Sequence, residues 1–141
     1  MIEALQLSKQ LAESLSGSNF SQPFNASAKV LPEYELSALK NLTVTIVPKS
    51  VEIINLTRAA SNFQIEIDVA VQKKITTKID TDVESLLTLV SEIVDFVNRR
   101  NIGEARFIKV SNDPIYSTEH LNEKRLFTSL ITVTYLTMKA N

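Results

Sequence analysis

The chain has one histidine, His120, so any imidazole chemistry must pass through it. A nucleophilic mechanism would need a hydroxyl beside that ring and a third group to orient it. Ser117, Thr118 and Ser129 are the nearby hydroxyls in sequence, and nothing in their spacing selects one of them. A loop histidine next to Glu119 demands no such geometry and is the simpler expectation. One imidazole among scattered carboxylates also lacks metal-ligand spacing, such as two histidines four apart on a helix. Asp80, Asp82 and Glu84 form a small acidic cluster. A calcium loop would add a glycine turn and a closing glutamate, whereas negative charge at a helix start needs no ligand. Gly17 and Gly103 are the only glycines, too isolated to build a phosphate cradle. With no cysteine, disulfides and thiol catalysis are excluded. These residues predict no catalytic, cofactor-binding or metal site, hence a protein that is not an enzyme.

The basic residues suggest contacts instead. Lys73, Lys74 and Lys78 follow the most regular strand pattern, and Arg106 and Lys109 lie on a later one. Solvated strand-end lysines that blunt an edge explain them without a partner. They would matter to nucleic acid only if several copies placed them around a ring, where charges add. Fifteen basic against sixteen acidic side chains give a net charge of -1, without the basic excess of a general nucleic-acid binder. The first fifteen residues mix Glu3, Lys9 and Glu13 with apolar groups, unlike a secretory leader. No stretch reaches the roughly 20 apolar residues of a membrane span. The expectation is a soluble protein used in cytoplasm.

The elements that must position these groups follow from periodicity. Ile2, Leu5, Leu11, Ala12 and Leu15 share one face of a helix over 2–16, and Gly17 suits a left-handed stop. Residues 16–27 read as loop, with Phe20 and Phe24 pinning it to the core. Three short strands are expected next, over 30–36, 42–47 and 51–57. Pro32 places the first at an edge, and Pro48 ends the second. A polar tip from Arg58 to Asn62 leads to a strand with Phe63, Ile65, Ile67, Val69 and Val71 on one face and Gln64, Glu66, Asp68 and Gln72 on the other. That second face is expected to meet water or a neighbouring subunit. Thr81-Asp-Val-Glu84 has capping-box spacing. It predicts a helix whose seam is Val83, Leu86, Leu87, Val90, Ile93, Val94 and Val97, closed by Arg99, Arg100 and Gly103. Strands over 105–110 and 126–138 complete the order. The fold class expected is α+β: a single domain over 1–141, mostly antiparallel sheet with two main helices packed on it.

Between the last two strands, residues 111–125 read as a long polar loop. Loops of that length in compact domains tend to carry function or disorder, and Pro114, Ile115, Tyr116 and Leu121 argue against disorder. The apolar groups either pack the loop on its own domain or meet a partner, where Tyr is enriched.

Asn112-Asp-Pro-Ile-Tyr116, Glu119-His-Leu121, Phe127-Thr-Ser and the Thr-Val-Thr-Tyr135 strand resemble small proteins of long-tailed phages and prophages. So do Ser21-Gln-Pro-Phe24 and Val69-Ala-Val-Gln-Lys-Lys74. Across most of the chain the likeness is to the tail terminator, or tail completion, family, with a head–tail adaptor or other neck protein as the near alternative. The resemblance implies a structural virion protein, assembled in host cytoplasm, whose subunits form a hexameric ring capping the tail tube. Its partners would be further copies of itself, the tube protein, neck or connector proteins and, in a contractile tail, the sheath. DNA would pass through the lumen without sequence readout. Ring closure repeats one head-to-tail contact around an axis. The interface candidates are Arg58 and Asn62 at the tip, Lys73 and Lys74, and Asp113, Tyr116, Leu121 and Phe127 in or beside the loop. A small non-viral binding module is the reading that needs no phage, and a serine hydrolase using His120 is a third.

Overall fold

The computed structural model describes residues 2–30, 38–76 and 79–140. Helix α1 spans Ile2–Ser16, and strand β1 spans Ala26–Ala28. Strands β2 (Thr43–Asn55) and β3 (Ala60–Lys74) form a long hairpin. Helix α2 covers Ile79–Val97, strand β4 Arg106–Asn112, helix α3 Thr118–Lys124 and strand β5 Leu126–Ala140. The sheet order is β1-β2-β3-β5-β4, antiparallel throughout except that β1 runs parallel to β2. The fold is α+β, as the order of sequence patterns predicts. Two of its elements, β1 and α3, occupy stretches that read as loop. The predicted strand over 30–36 lies largely outside the described residues.

One core occupies one face of the sheet. On α1, the buried apolar positions are Ala4, Leu7, Leu11, Ala12 and Leu15. Leu5, expected on that face, is only half-buried, and Ala4 and Leu7 take its place in the stripe. On α2 they are Leu86, Leu89, Val90, Ile93 and Val97. Leu89 belongs at the centre of that seam, with Leu87 and Val94 at its flanks. Opposite the helices stand Ile65, Ile67, Val69 and Val71 of β3 and Phe127, Ile131, Val133 and Tyr135 of β5. α1 packs over β1, β2 and β3, and α2 over β4 and β5. Each fully buried Leu, Ile or Phe contributes about 1.5–3 kcal/mol of transfer free energy, enough to order both helices without a disulfide.

Four local features differ from the sequence expectation, each for a physical reason. The strands over 42–47 and 51–57 are one strand, with a bulge between Pro48 and Ser50. Pro48 is tolerated because β1 pairs only with residues 44–46. Past that point the outer side of β2 needs no ladder donor, the setting in which sheets accept proline. The bulge changes which side chains face the core, from Val44 and Ile46 before it to Val51 after it. Second, α2 starts at Ile79, so Thr81 and Glu84 lie inside the helix and form no capping box; the Thr81 carbonyl accepts the Ser85 hydroxyl at 3.1 Å. Third, left-handed backbone falls at Arg99, Gly103 and Arg125, not at Gly17. Gly17 donates its N–H to the Glu13 carbonyl at 3.0 Å, a helical bond. Fourth, Lys73 and Lys74 end β3, a central strand, so they guard no sheet edge.

The second face of the sheet is mixed. Thr45, Ala70 and Gln72 point to it and are buried. The 3-10 turn Ala38–Lys40, whose Leu39 is fully buried outside the main core, packs against β3. Further along, Gln64, Glu66 and Asp68 are half-buried.

Candidate interaction surfaces

The hydroxyl and imidazole groups are brought together differently from a catalytic set. His120 lies in α3, and its Nδ1 is 2.9 Å from Thr128 Oγ1 on β5. Ser117 is the N-cap of α3 and accepts the His120 backbone N–H at 3.2 Å. Ser129 is fully buried and bonds Asn112 Nδ2 at 3.0 Å. Among the described residues, no carboxylate hydrogen-bonds the His120 ring, and no group of three acidic or imidazole side chains is placed to hold a metal. Asp80 and Asp82 lie in the first turn of α2, where the helix dipole favours negative charge.

The stretch 113–125 packs onto its own domain. Asn112 Nδ2 donates to the Leu130 carbonyl at 2.8 Å, and the Asp113 N–H to the same carbonyl at 3.0 Å. Leu130 returns a bond to the Pro114 carbonyl, and the Ser117 N–H reaches the Thr128 carbonyl at 2.9 Å. The Asp113–Pro114 peptide is cis. These bonds run the connection alongside β5 beyond the end of β4. The Tyr116 ring stacks on Phe127, with centroids 6.4 Å apart, and Leu121 packs against the core. Phe127 is fully buried; it holds the segment from below and is not a surface anchor. Ile115 is the apolar side chain of this segment left exposed.

The Ser21-Gln-Pro-Phe24 element docks on α2. Glu92 Oε1 accepts the Ser21 N–H at 3.0 Å, and the Ser21 hydroxyl, with that N–H second, holds the Glu92 carboxyl below its usual range. Phe20 contacts Phe24 at 5.3 Å and Phe96 at 5.6 Å, while the Arg100 guanidinium covers the Phe96 ring at 3.9 Å. The two phenylalanines pin the loop as their sequence position predicts. Lys73 borders a hollow of about 360 Å³ between this loop and α2, together with Asp82 and Ser85.

Two further surfaces are left open by the described residues. One is a small polar cleft of about 170 Å³ on the second sheet face, lined by Lys49, Glu66, Lys109, Ser111, Asp113, Thr132 and Thr134. Lys49 Nζ stands 3.8 Å from Glu66 Oε2, so that lysine and that carboxylate answer one another. The other is the far half of the β2–β3 hairpin. Ile53 is 46% exposed, Ile54 44% and Leu56 50%, and neighbouring Met138 is 66% exposed. Ile54, Asn62 and Met138 form one cross-strand row, so Asn62 sits between two exposed apolar side chains. At the turn, Thr57 Oγ1 accepts the N–H groups of Ala59 and Ala60, and Arg58 projects from that turn with much of its surface exposed.

Alternation along β2 and β3 signalled a two-faced sheet, but no sequence pattern marked Ile53 and Ile54 as exposed on opposite faces of the β2 arm. No protein-family model matches the chain, and no curated protein matches it significantly.

Proposed function

We propose that this chain is a structural component of a phage tail, a terminator whose copies close into a ring on the end of the tail tube. The observation that carries the reading is the β2–β3 hairpin. Ile53 and Ile54 on its β2 arm are exposed on opposite faces, beside the buried Phe63 of β3. A monomer gains nothing from exposed isoleucines at adjacent strand positions, while an assembling subunit buries them against its neighbour. Two motifs of the phage resemblance, Ser21-Gln-Pro-Phe24 and Asn112-Asp-Pro-Ile-Tyr116, are loop segments fixed to the domain by specific bonds. They would hold a constant outer shape for tube or neck proteins to meet.

In this reading the ring matches the tube surface on one side and offers a different surface on the other, so growth stops where it binds. Light scattering followed by electron microscopy tests it. A ring of about six subunits that blocks further tube growth is expected for a closed head-to-tail assembly. A protein that stays monomeric and neither binds nor blocks purified tail tubes would overturn the proposal. A ring of about twelve that binds capsid portals and not tubes would replace it with a neck adaptor.

A further inference from the structure

We infer that copies of this chain associate by continuing the sheet, with the outer edge of β2 in one copy pairing with the outer edge of β4 in the next. The inference rests on the self-association in the proposed function and assigns its contact.

Among the described residues, both outer strands are open where they would meet. β1 covers β2 only at residues 44–46, and residues 49, 50 and 52–55 are exposed. Ile53 and Ile54 point to opposite faces and are each nearly half exposed, so no described element covers that edge from either side. On β4, Arg106, Ile108, Lys109 and Ser111 are exposed. The Phe107 N–H is taken by Asn101 Oδ1 at 2.9 Å, which confines new pairing to residues 108–112. Unpaired strand edges of this kind are templates for strand addition.

The two edges match in direction, face and charge. β2, β3, β5 and β4 are successively antiparallel, so β2 and β4 run in opposite directions. A second copy in the same orientation therefore brings an antiparallel partner, the geometry with paired perpendicular bonds. The register also fixes faces. Val51, Ile65, Tyr135 and Phe107 share a row on the helix side, while Glu52, Gln64, Leu136 and Arg106 share the next row on the second face. Pairing over the free part of β4 then sets Glu52 opposite Lys109, with Arg106 on the same face, and Val51 opposite Val110. Opposite charges meet on one face and apolar groups on the other. If Arg106 and Lys109 served only to keep other strands away, the matching edge need not carry an acid on the same face. The contact is heterologous, so it propagates from copy to copy and closes only through the rotation each step adds.

The chain has no cysteine, which makes cross-linking unambiguous. Within one subunit β3 and β5 separate positions 52 and 109, so they lie roughly 14 Å apart from strand spacing alone, too far for an internal disulfide. Oxidation of a Glu52→Cys, Lys109→Cys double variant should give a ladder of covalent multimers. Mixing the two single variants should stop at dimers, and neither alone should cross-link. Cross-linking of Glu52→Cys alone would indicate a two-fold β2–β2 contact and overturn the inference. Charge reversal supplies a variant that needs no thiol. Glu52→Lys or Lys109→Glu should weaken association about tenfold or more, and the double reversal should restore it. Large assemblies without a 52–109 cross-link would overturn the contact and leave the proposed function standing. A ladder in a protein that ignores tail tubes would keep the contact and remove the tail reading.

Discussion

Thr132 Oγ1 donates a 2.7 Å hydrogen bond to Asp68 Oδ1, joining register partners on β5 and β3. The bond crosses the middle of the second sheet face, where water would otherwise compete for both groups. Asp68→Ala should cost about 1 kcal/mol, typical of a partly solvated bond to a charged acceptor. Urea unfolding of Asp68→Ala, Thr132→Val and the double variant would check it. Because the two act through one bond, the double loss should fall below the sum of the singles. Strict additivity would show that the pair contributes little to stability.

Tyr135 is fully buried, and among the described residues its hydroxyl has no hydrogen-bond partner. An unpaired buried hydroxyl carries a desolvation cost, so Tyr135→Phe should be neutral or stabilising by up to about 1 kcal/mol. Burial also pushes the phenol well above its ordinary value of 10.0, against a smaller opposing effect of the Arg100 charge. The folded state therefore keeps the proton longer than the unfolded chain. This contribution to stability is fully present below pH 10 and is lost as pH rises above it. Denaturation midpoints from pH 9 upward should fall less steeply in Tyr135→Phe than in the parent.

Arg99 holds a left-handed backbone at the end of α2, with φ of 63°. Side chains other than glycine pay for that conformation, and glycine is the usual residue there. Arg99→Gly should stabilise the fold by about 0.5–1 kcal/mol, after the extra entropy glycine loses on folding. Arg100→Gly, one residue on, should do the reverse. Its guanidinium covers Phe96, and its Nε bonds the Phe96 carbonyl at 3.0 Å. Thermal melting of the two variants side by side tests both signs.

Glu3 of α1 and Lys139 of β5 form an ion pair, and Lys139 also sits 5.6 Å above the Phe63 ring. The hydrogen bond from Lys139 holds the Glu3 carboxyl below its ordinary 4.5. Its contribution to stability is present above pH 4.5 and is lost as pH falls through the lower folded value. An NMR titration of the Glu3 side chain should return to the ordinary range in Lys139→Ala. It should also move toward that range in high salt, since the pair is open to solvent.

The sequence was most legible where one period dominated. Alternation from Phe63 to Val71 gave β3 its two faces, and three-and-four spacing gave α2 its buried seam. It was least legible where a neighbour decides. Pro48 reads as a strand end until the uncovered flank of β2 is known. Ser117 reads as a polar loop residue, yet it caps α3 because Thr128 and Leu130 hold the segment against β5. Tyr116 and Leu121 were visible as anchors, but whether they face inward or outward depended on Phe127 beneath them. The open hairpin and the opposed charges of Glu52 and Lys109 belong to strands distant in sequence, and no local pattern connects them.

The order β1-β2-β3-β5-β4 also governs when the sheet can exist. β5 lies between β3 and β4, so β4 has no ladder until residues that follow it in sequence arrive. β3 and β5 pair residues as far apart as Ala60 and Ala140, a separation whose closure entropy must be met before any bond repays it. During synthesis α1, β2 and β3 can meet early, while α2 waits with its apolar seam uncovered until β5 emerges. Folding should therefore be slow and late to become cooperative. Shortening the chain before Leu126 should give an aggregating fragment and not a smaller stable domain.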